Sequence, residues 1–479
     1  MNRQMIRYTL GKMLILEAVL LGLPTLTGII YQEYHEALIY ACVAAVTGIS
    51  GLLLDIQRPK KTKIHAREGF VIVAFSWTLL SLFGAFPFFF TGEMPSYIDA
   101  FFEIVSGFTT TGSSILTNVE ALSHASMFWR SFAHWIGGMG VLVFVVAIMP
   151  DSYGSSLHIL RAEMPGPIVG KLVSKIKLTA QILYKIYLGL TVLEVLFLLA
   201  GGMPFFDSLL NAFGTAGTGG FAIKNSSIAF YDSAYVDAVI TIFMFLFGIN
   251  FNLFYFMLLK HFGAVYGNHE LRWYGAIVIG ASLLIAANIA HLYPTFLNAL
   301  RYAGFQVVSV ITTTGFVTAD YGQWPLFSQA ILFTLMFVGA CAGSTGGGMK
   351  ISRVLIAIKN AKAELKLLIH PHGVTSVEFE GETLARSVVN SIHAYFVFYF
   401  LILFASFLII ALENIDFASA FSAVVTCLNN VGPGFGVVGP VGNFSSLSNL
   451  SKIVLCLDML AGRLELFPFL VLFLKDIRQ

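Results

Sequence analysis

Ten apolar runs, each near the 20 or so residues that cross a bilayer, constrain this chain more than any other feature. They lie near residues 11–30, 37–54, 69–90, 127–149, 182–202, 236–259, 273–292, 327–349, 394–412 and 453–474. Only 11% of the 479 residues are charged, against about 25% in soluble chains, which excludes a water-soluble fold. Between members of the later pairs lie shorter amphipathic segments, near 97–108, 206–215, 297–310 and 416–427. These are too short to span, and each runs into Gly- and Thr-rich sequence. Such a segment predicts a re-entrant half-helix whose irregular continuation is shielded by protein or water.

Charge placement predicts orientation. Of the 28 basic residues, 23 fall at the termini and in the loops after spans two, four, six and eight. The positive-inside rule makes those loops and both termini cytoplasmic, with the Gly/Thr segments entering from outside. The basic start, Met1 to Lys12, leads into an apolar run without a small-residue cleavage site, so we read a retained first span. Cys42, Cys341, Cys427 and Cys456 lie far apart without metal spacing and are expected to be buried thiols. A net charge of +2 gives no reason to expect nucleic acid as a partner.

The Gly/Thr segments are repeats of one another. The first reads Ser106-Gly107-Phe108-Thr109-Thr110-Thr111-Gly112 and the third Ser309-Val310-Ile311-Thr312-Thr313-Thr314-Gly315. The second, Gly214 to Gly220, has several glycines; Asp207 stands 13 residues before Gly220, as Asp99 stands 13 before Gly112, so we select Gly220 over Gly217 or Gly219. The fourth ends Asn429-Asn430-Val431-Gly432, and the four glycines are spaced by 108, 95 and 117 residues. The expected fold is an all-α polytopic membrane protein: an N-terminal two-span region at 1–66, then span–pore-helix–span repeats at 67–178, 179–265, 266–385 and 386–479 around one pore.

A dehydrated cation needs rings of backbone carbonyls in place of its water, and four short loops meeting at an axis supply them. Aiming carbonyls inward often demands positive φ, which glycine adopts without a Cβ penalty. Each pore helix also points its partly negative C-terminus at the cavity. The expected cation-binding residues are Thr111, Gly112, Gly219, Gly220, Thr314, Gly315, Val431 and Gly432.

With these motifs in view the whole chain resembles the Trk/Ktr/HKT superfamily of potassium transporters, and within it the bacterial TrkH-type subunits. The likeness rests on TTTG at Thr109 to Gly112 and Thr312 to Gly315, GTGGF at Gly217 to Phe221, and NNVGPG at Asn429 to Gly434. AGSTGGGMKISR at Ala342 to Arg353 and AGRLELFP at Ala461 to Pro468 are more specific still. The resemblance implies potassium as the transported ion, with no organic cofactor held by this chain, and glycine in all four repeats implies potassium preference. It also implies a homodimer in the inner membrane, served by a cytoplasmic TrkA-like ring that binds ATP, ADP or NAD. The basic loops at 58–67, 171–185 and 350–366 offer that ring a surface, as they do anionic lipid headgroups. Ordinary potassium channels carry TVGYG with two glycines; one recurring glycine here leaves fewer equivalent carbonyl rings.

Two features qualify as a gate. Gly339, Gly343, Gly346, Gly347 and Gly348 interrupt the eighth span, a composition suited to a loop lining a cavity, and the resemblance makes it the obstruction beneath the filter. Arg463 lies deep in the last span, where a charge is functional by default; the resemblance places it in the pore, and an ion pair with Asp458 or Glu465 is the structural alternative. Glu17 and Glu194 are expected to make interhelical hydrogen bonds. GSTGGGMK departs from a phosphate-binding loop because Met349 precedes Lys350, and His370-Pro371-His372 has no completing ligands. An enzyme is therefore not expected. The nearer rival is a symporter coupled to sodium or protons, disfavoured because all four repeats begin on the same side.

Overall fold

The computed structural model describes residues 2–56, 66–140, 176–372 and 375–472. The chain is a multi-pass membrane protein. Six helical stretches are long and apolar enough to cross a bilayer: Arg3–Ile30, Tyr34–Asp55, Arg67–Phe90, Ala180–Ala200, His269–Leu292 and Arg386–Glu413. The first two are the N-terminal pair. They approach closely at Gly11 and Gly51, where a Cβ on either would meet the other's carbonyl at under 3 Å, as small residues allow in membrane helix crossings. Lys12 and Asp55 join them with an ion pair of 2.9 Å.

The other four are the opening helices of the four segments. The expectation of ten full spans gives way at the second helices of the second and fourth segments, which are broken, while in the third the interruption expected at the glycines of the eighth span is present. His124–Gly138 ends before Gly140 at φ 76°. Ala234–Phe247 and Phe251–Leu258 meet at 92°. Leu326–Val338 stops at Gly339, φ 71°, and Asn449–Arg463 is parted from Phe467–Val471 by Glu465 and Leu466 at φ 55° and 66°. Apolar composition alone cannot register such breaks, since the residues on both sides are equally hydrophobic. The ends of the spans expected at 127–149 and 453–474, and the basic loops at 58–65 and 171–175, lie outside the described residues.

Four shorter helices fill the space between: Tyr97–Phe108, Phe205–Gly217, Phe296–Ile311 and Phe417–Asn429. Side chains of Ser96, Thr295 and Asp416 accept the first-turn N–H of Asp99, Asn298 and Ser419, satisfying donors that the helix leaves open. Bonds from the Ser419 hydroxyl and N–H hold the Asp416 carboxyl below its ordinary range. Towards their C-termini these helices are wholly buried, while Leu38, Leu196, Ile279 and Leu401 stand exposed on the span exteriors, as lipid contact requires. At the end of the third segment, helix Ile351–Ile369 leads to a small antiparallel hairpin, Glu378–Phe379 paired with Glu382–Thr383.

Two further expectations are corrected. Cys42 is exposed rather than buried, while the other three thiols are buried and all four are free. Glu17 is buried, yet its carboxylate oxygens find no hydrogen-bond partner among the described residues, whereas buried Glu194 faces the Thr215 hydroxyl of the second short helix. His370 and His372 are exposed, and no group of three metal-ligating side chains occurs among the described residues.

Candidate functional site

Each short helix ends in the same cap. The residue two before the expected glycine is left-handed: Thr110 at φ 55°, Thr218 at 52°, Thr313 at 60° and Asn430 at 55°. The next N–H returns to the carbonyl five residues back, Thr111 to Ser106 (2.9 Å), Gly219 to Gly214 (2.9 Å), Thr314 to Ser309 (2.8 Å) and Val431 to Thr426 (2.9 Å). This is a Schellman cap, normally closed by glycine; three threonines and an asparagine hold it here. Glycine follows each time at positive φ, 83° for Gly112, 69° for Gly220, 85° for Gly315 and 99° for Gly432. Backbone conformation thus gives Gly220, and neither Gly217 nor Gly219, the place of Gly112 in its loop.

The four loops also meet. A Cβ added to Gly112 would run into the Gly219 carbonyl oxygen, one on Gly220 into that of Thr314, one on Gly315 into that of Val431, and one on Gly432 into that of Thr111. Each glycine is therefore packed against the carbonyl that precedes the glycine of the following loop, and the fourth closes on the first. All eight residues expected at the site belong to this ring. Hydroxyl pairs brace it: Thr109 with Thr111 and Thr312 with Thr314, both at 2.8 Å. Asn430 Nδ2 donates to Thr111 Oγ1 at 2.9 Å, tying loop four to loop one.

Residues 339–350 form a non-helical loop against this ring. Gly347 N–H donates to Thr313 Oγ1 at 2.6 Å, and Gly348 N–H to the Asn429 carbonyl at 3.0 Å. The loop is also held from the second segment, where Cys341 N–H donates to the Gly248 carbonyl at 3.1 Å. From the other side Glu270 Oε1 accepts the N–H groups of Ala342 (2.8 Å) and Ser352 (2.9 Å), fixing both ends. Lys350 Nζ reaches back to the Gly346 carbonyl.

Arg463 does not take the ionic partners weighed from its sequence neighbourhood. Its Nη1 donates to the Thr345 carbonyl at 2.9 Å and its Nη2 to the Gly138 carbonyl at 2.8 Å, with Gly137 accepting as well. Glu465 instead pairs with Arg353, and Asp458 accepts from Ser406 at 2.8 Å. The guanidinium thus bridges the loop of the third segment to the helix end at Gly138 in the first. A cavity of about 60 Å³ opens here, lined by Trp77, Met139, Ser344, Lys350, Arg463 and Glu465. That is room for several waters.

A family model described as TrkH, cation transport protein, matches residues 37–479. The chain belongs to the TrkH family. Among its relatives are the Trk system potassium uptake proteins TrkH of Salmonella typhimurium, 38% identical, and of Escherichia coli K12, 37% identical, each alignment covering 99% of both chains. The crystal structure of the potassium transporter TrkH from Vibrio parahaemolyticus matches at a TM-score of 0.89 and 32% identity, covering 100% of both chains. The TrkH family is one of transporters rather than enzymes.

Sequence reading passed over several residues that the fold brings to this site. Glu270, Glu103, Arg130 and His134 are buried beside it. Their signal was present, since ionisable residues within or beside apolar spans are costly and seldom idle, but nothing in the sequence named their partners.

Proposed function

We propose that this chain takes up potassium along a gated, channel-like path. The observation that carries the reading is the closed ring of Gly112, Gly220, Gly315 and Gly432, each against the next loop's carbonyl. Such a ring offers a cation dehydrated coordination by Thr111, Gly219, Thr314 and Val431 carbonyls together with those of the glycines. Four helix C-termini converge on it, each adding partial negative charge. The relatives' names, which refer to potassium uptake, supply the ion.

Residues 346–348, held on the ring by Thr313 and Asn429, are the obstruction in this reading, and Arg463 is the latch that holds them. Opening requires the loop to leave Thr313, Asn429 and Arg463 together, and the cavity beneath gives it water to move into. Residence in the inner membrane with both termini cytoplasmic agrees with the placement of the basic loops. A homodimer, regulated by a TrkA-like cytoplasmic ring that binds ATP, ADP or NAD, completes the proposal; the relatives' designation as Trk system proteins agrees with more than one component.

The test is Gly112→Ser. Its side chain has to displace the Gly219 carbonyl, so potassium-to-sodium permeability, from reversal potentials in reconstituted bilayers, is expected to fall. An unchanged ratio in a properly folded variant refutes the filter assignment.

A further inference from the structure

Beside the ring lies a buried ion pair that neither the filter nor the loop accounts for. Arg130 Nε stands 2.6 Å from Glu103 Oε1, with side chains 3% and 0% exposed. Glu103 belongs to the first pore helix and Arg130 to helix His124–Gly138 that follows it. Each charge reaches further. The Glu103 carboxylate accepts Ser114 Oγ at 2.9 and 3.1 Å and Ile115 N–H at 2.9 Å, just past Gly112. Arg130 Nη1 donates to the Ala222 carbonyl at 2.8 Å, and its guanidinium carbon lies 3.6 Å from the centre of the Phe221 ring. Phe221 and Ala222 directly follow Gly220. His134 also stacks on Phe221, with ring centres 4.2 Å apart.

One ion pair therefore holds the exit strands of loops one and two. Two other ion pairs join a short helix to a second helix, Arg301 with Asp237 and Lys452 with Asp99, but neither stands at the positions of Glu103 and Arg130. Nine residues before the glycine stand Glu103, Asn211, Gln306 and Ala423, and 18 after it stand Arg130, Ala238, Phe333 and Leu450. Loops three and four are braced by neutral groups instead: Ser309 Oγ donates to the Phe316 carbonyl at 2.7 Å, and Phe435 N–H to Ser422 Oγ at 2.9 Å. A buried ion pair is a costly way merely to join two helices, because apolar side chains of similar size do so at least as well. What it supplies that they cannot is a set of directed bonds to Ser114, Ile115 and Ala222. Its charge balance matters too: a lone guanidinium beside a cation path opposes the ion, and Glu103 cancels it.

We propose that Glu103 and Arg130 are positioning residues for ion discrimination, a charge-neutral clamp that sets the spacing of filter loops one and two. The proposal rests on the filter reading above. Full-length protein in liposomes is compared as wild type, E103Q, R130K and E103Q/R130Q, recording KM for potassium, the potassium-to-sodium permeability ratio and thermal unfolding, with G112S as the control on the filter itself. E103Q leaves Arg130 charged and alone, so KM rises roughly tenfold and the ratio falls. E103Q/R130Q removes both charges: KM returns to near wild type while the ratio stays low, because the exit strands remain unanchored. R130K keeps the balance but not the fork, so the ratio falls with little change in KM.

Lowered thermal stability with KM and ratio unmoved in all three variants overturns the clamp and leaves a merely structural pair. If E103Q does not insert, an unchanged ratio in R130K and in E103Q/R130Q overturns it equally. A ratio altered by G112S but by none of the clamp variants sinks this proposal alone. A ratio unaltered by G112S removes the filter reading and the clamp with it.

Discussion

Replacing Arg463 with alanine puts the latch to a quantitative test. The guanidinium makes bonds of 2.9 Å to the Thr345 carbonyl and 2.8 Å to that of Gly138, and a third to Gly137. A hydrogen bond to a charged group contributes about 1.5–3 kcal/mol net. Losing the equivalent of just one such bond shifts the loop equilibrium about tenfold to a hundredfold towards release. Removing the charge acts in the same direction, since a cation passing at ~4 Å meets an opposing term of about 1–4 kcal/mol, depending on effective dielectric. Potassium uptake per inserted Arg463→Ala molecule should therefore rise by at least about tenfold, until the released state dominates. Arg463→Gln should behave similarly. Arg463→Lys keeps the charge but cannot fork to three carbonyls, so its uptake should lie between wild type and alanine. The assay is uptake into proteoliposomes, normalised to correctly oriented protein, with thermal unfolding recorded alongside. An alanine variant that is less stable yet takes up no more potassium refutes the latch.

Three further outcomes are expected. Deleting residues 346–348 removes the bonds to Thr313 Oγ1 and the Asn429 carbonyl and should raise flux; a well-inserted deletion with unaltered flux counts against an obstruction. Glu270→Gln replaces charge-assisted bonds to Ala342 and Ser352 with neutral ones, costing the docked loop about 1 kcal/mol and raising basal uptake severalfold, whereas a change in stability alone assigns Glu270 to the scaffold. Protein purified in mild detergent should run as a dimer, and cross-linking that yields monomer only speaks against the proposed homodimer.

Much of the architecture is readable along the chain because its signals are local. A run of twenty apolar residues, a capped half-helix and a Thr-Thr-Thr-Gly turn each need no knowledge of distant neighbours. The N-terminal pair, the four opening spans and the four short helices Tyr97–Phe108, Phe205–Gly217, Phe296–Ile311 and Phe417–Asn429 therefore stand close to where hydropathy and amphipathicity put them. A break in a second helix is legible at Gly339, where glycines cluster. At Glu465 and Leu466 the chain turns with ordinary residues held at positive φ, a conformation imposed by what surrounds them rather than by intrinsic preference.

What the amino-acid sequence determines by itself is thus the membrane class, the fourfold recurrence and the glycine in each turn, for each follows from residue types within a few positions. Only the tertiary structure decides who meets whom. Arg463 had two acidic candidates within five residues, yet its donors go to Gly138, 325 positions away, and to Thr345, 118 away. A guanidinium needs carbonyls in the right plane more than it needs a nearby carboxylate in sequence. The same holds for Asn430 on Thr111 and Arg130 on Ala222, 319 and 92 positions apart. A ring closed between the two ends of a chain is a property of how its segments pack around a common axis. No window along the sequence contains it.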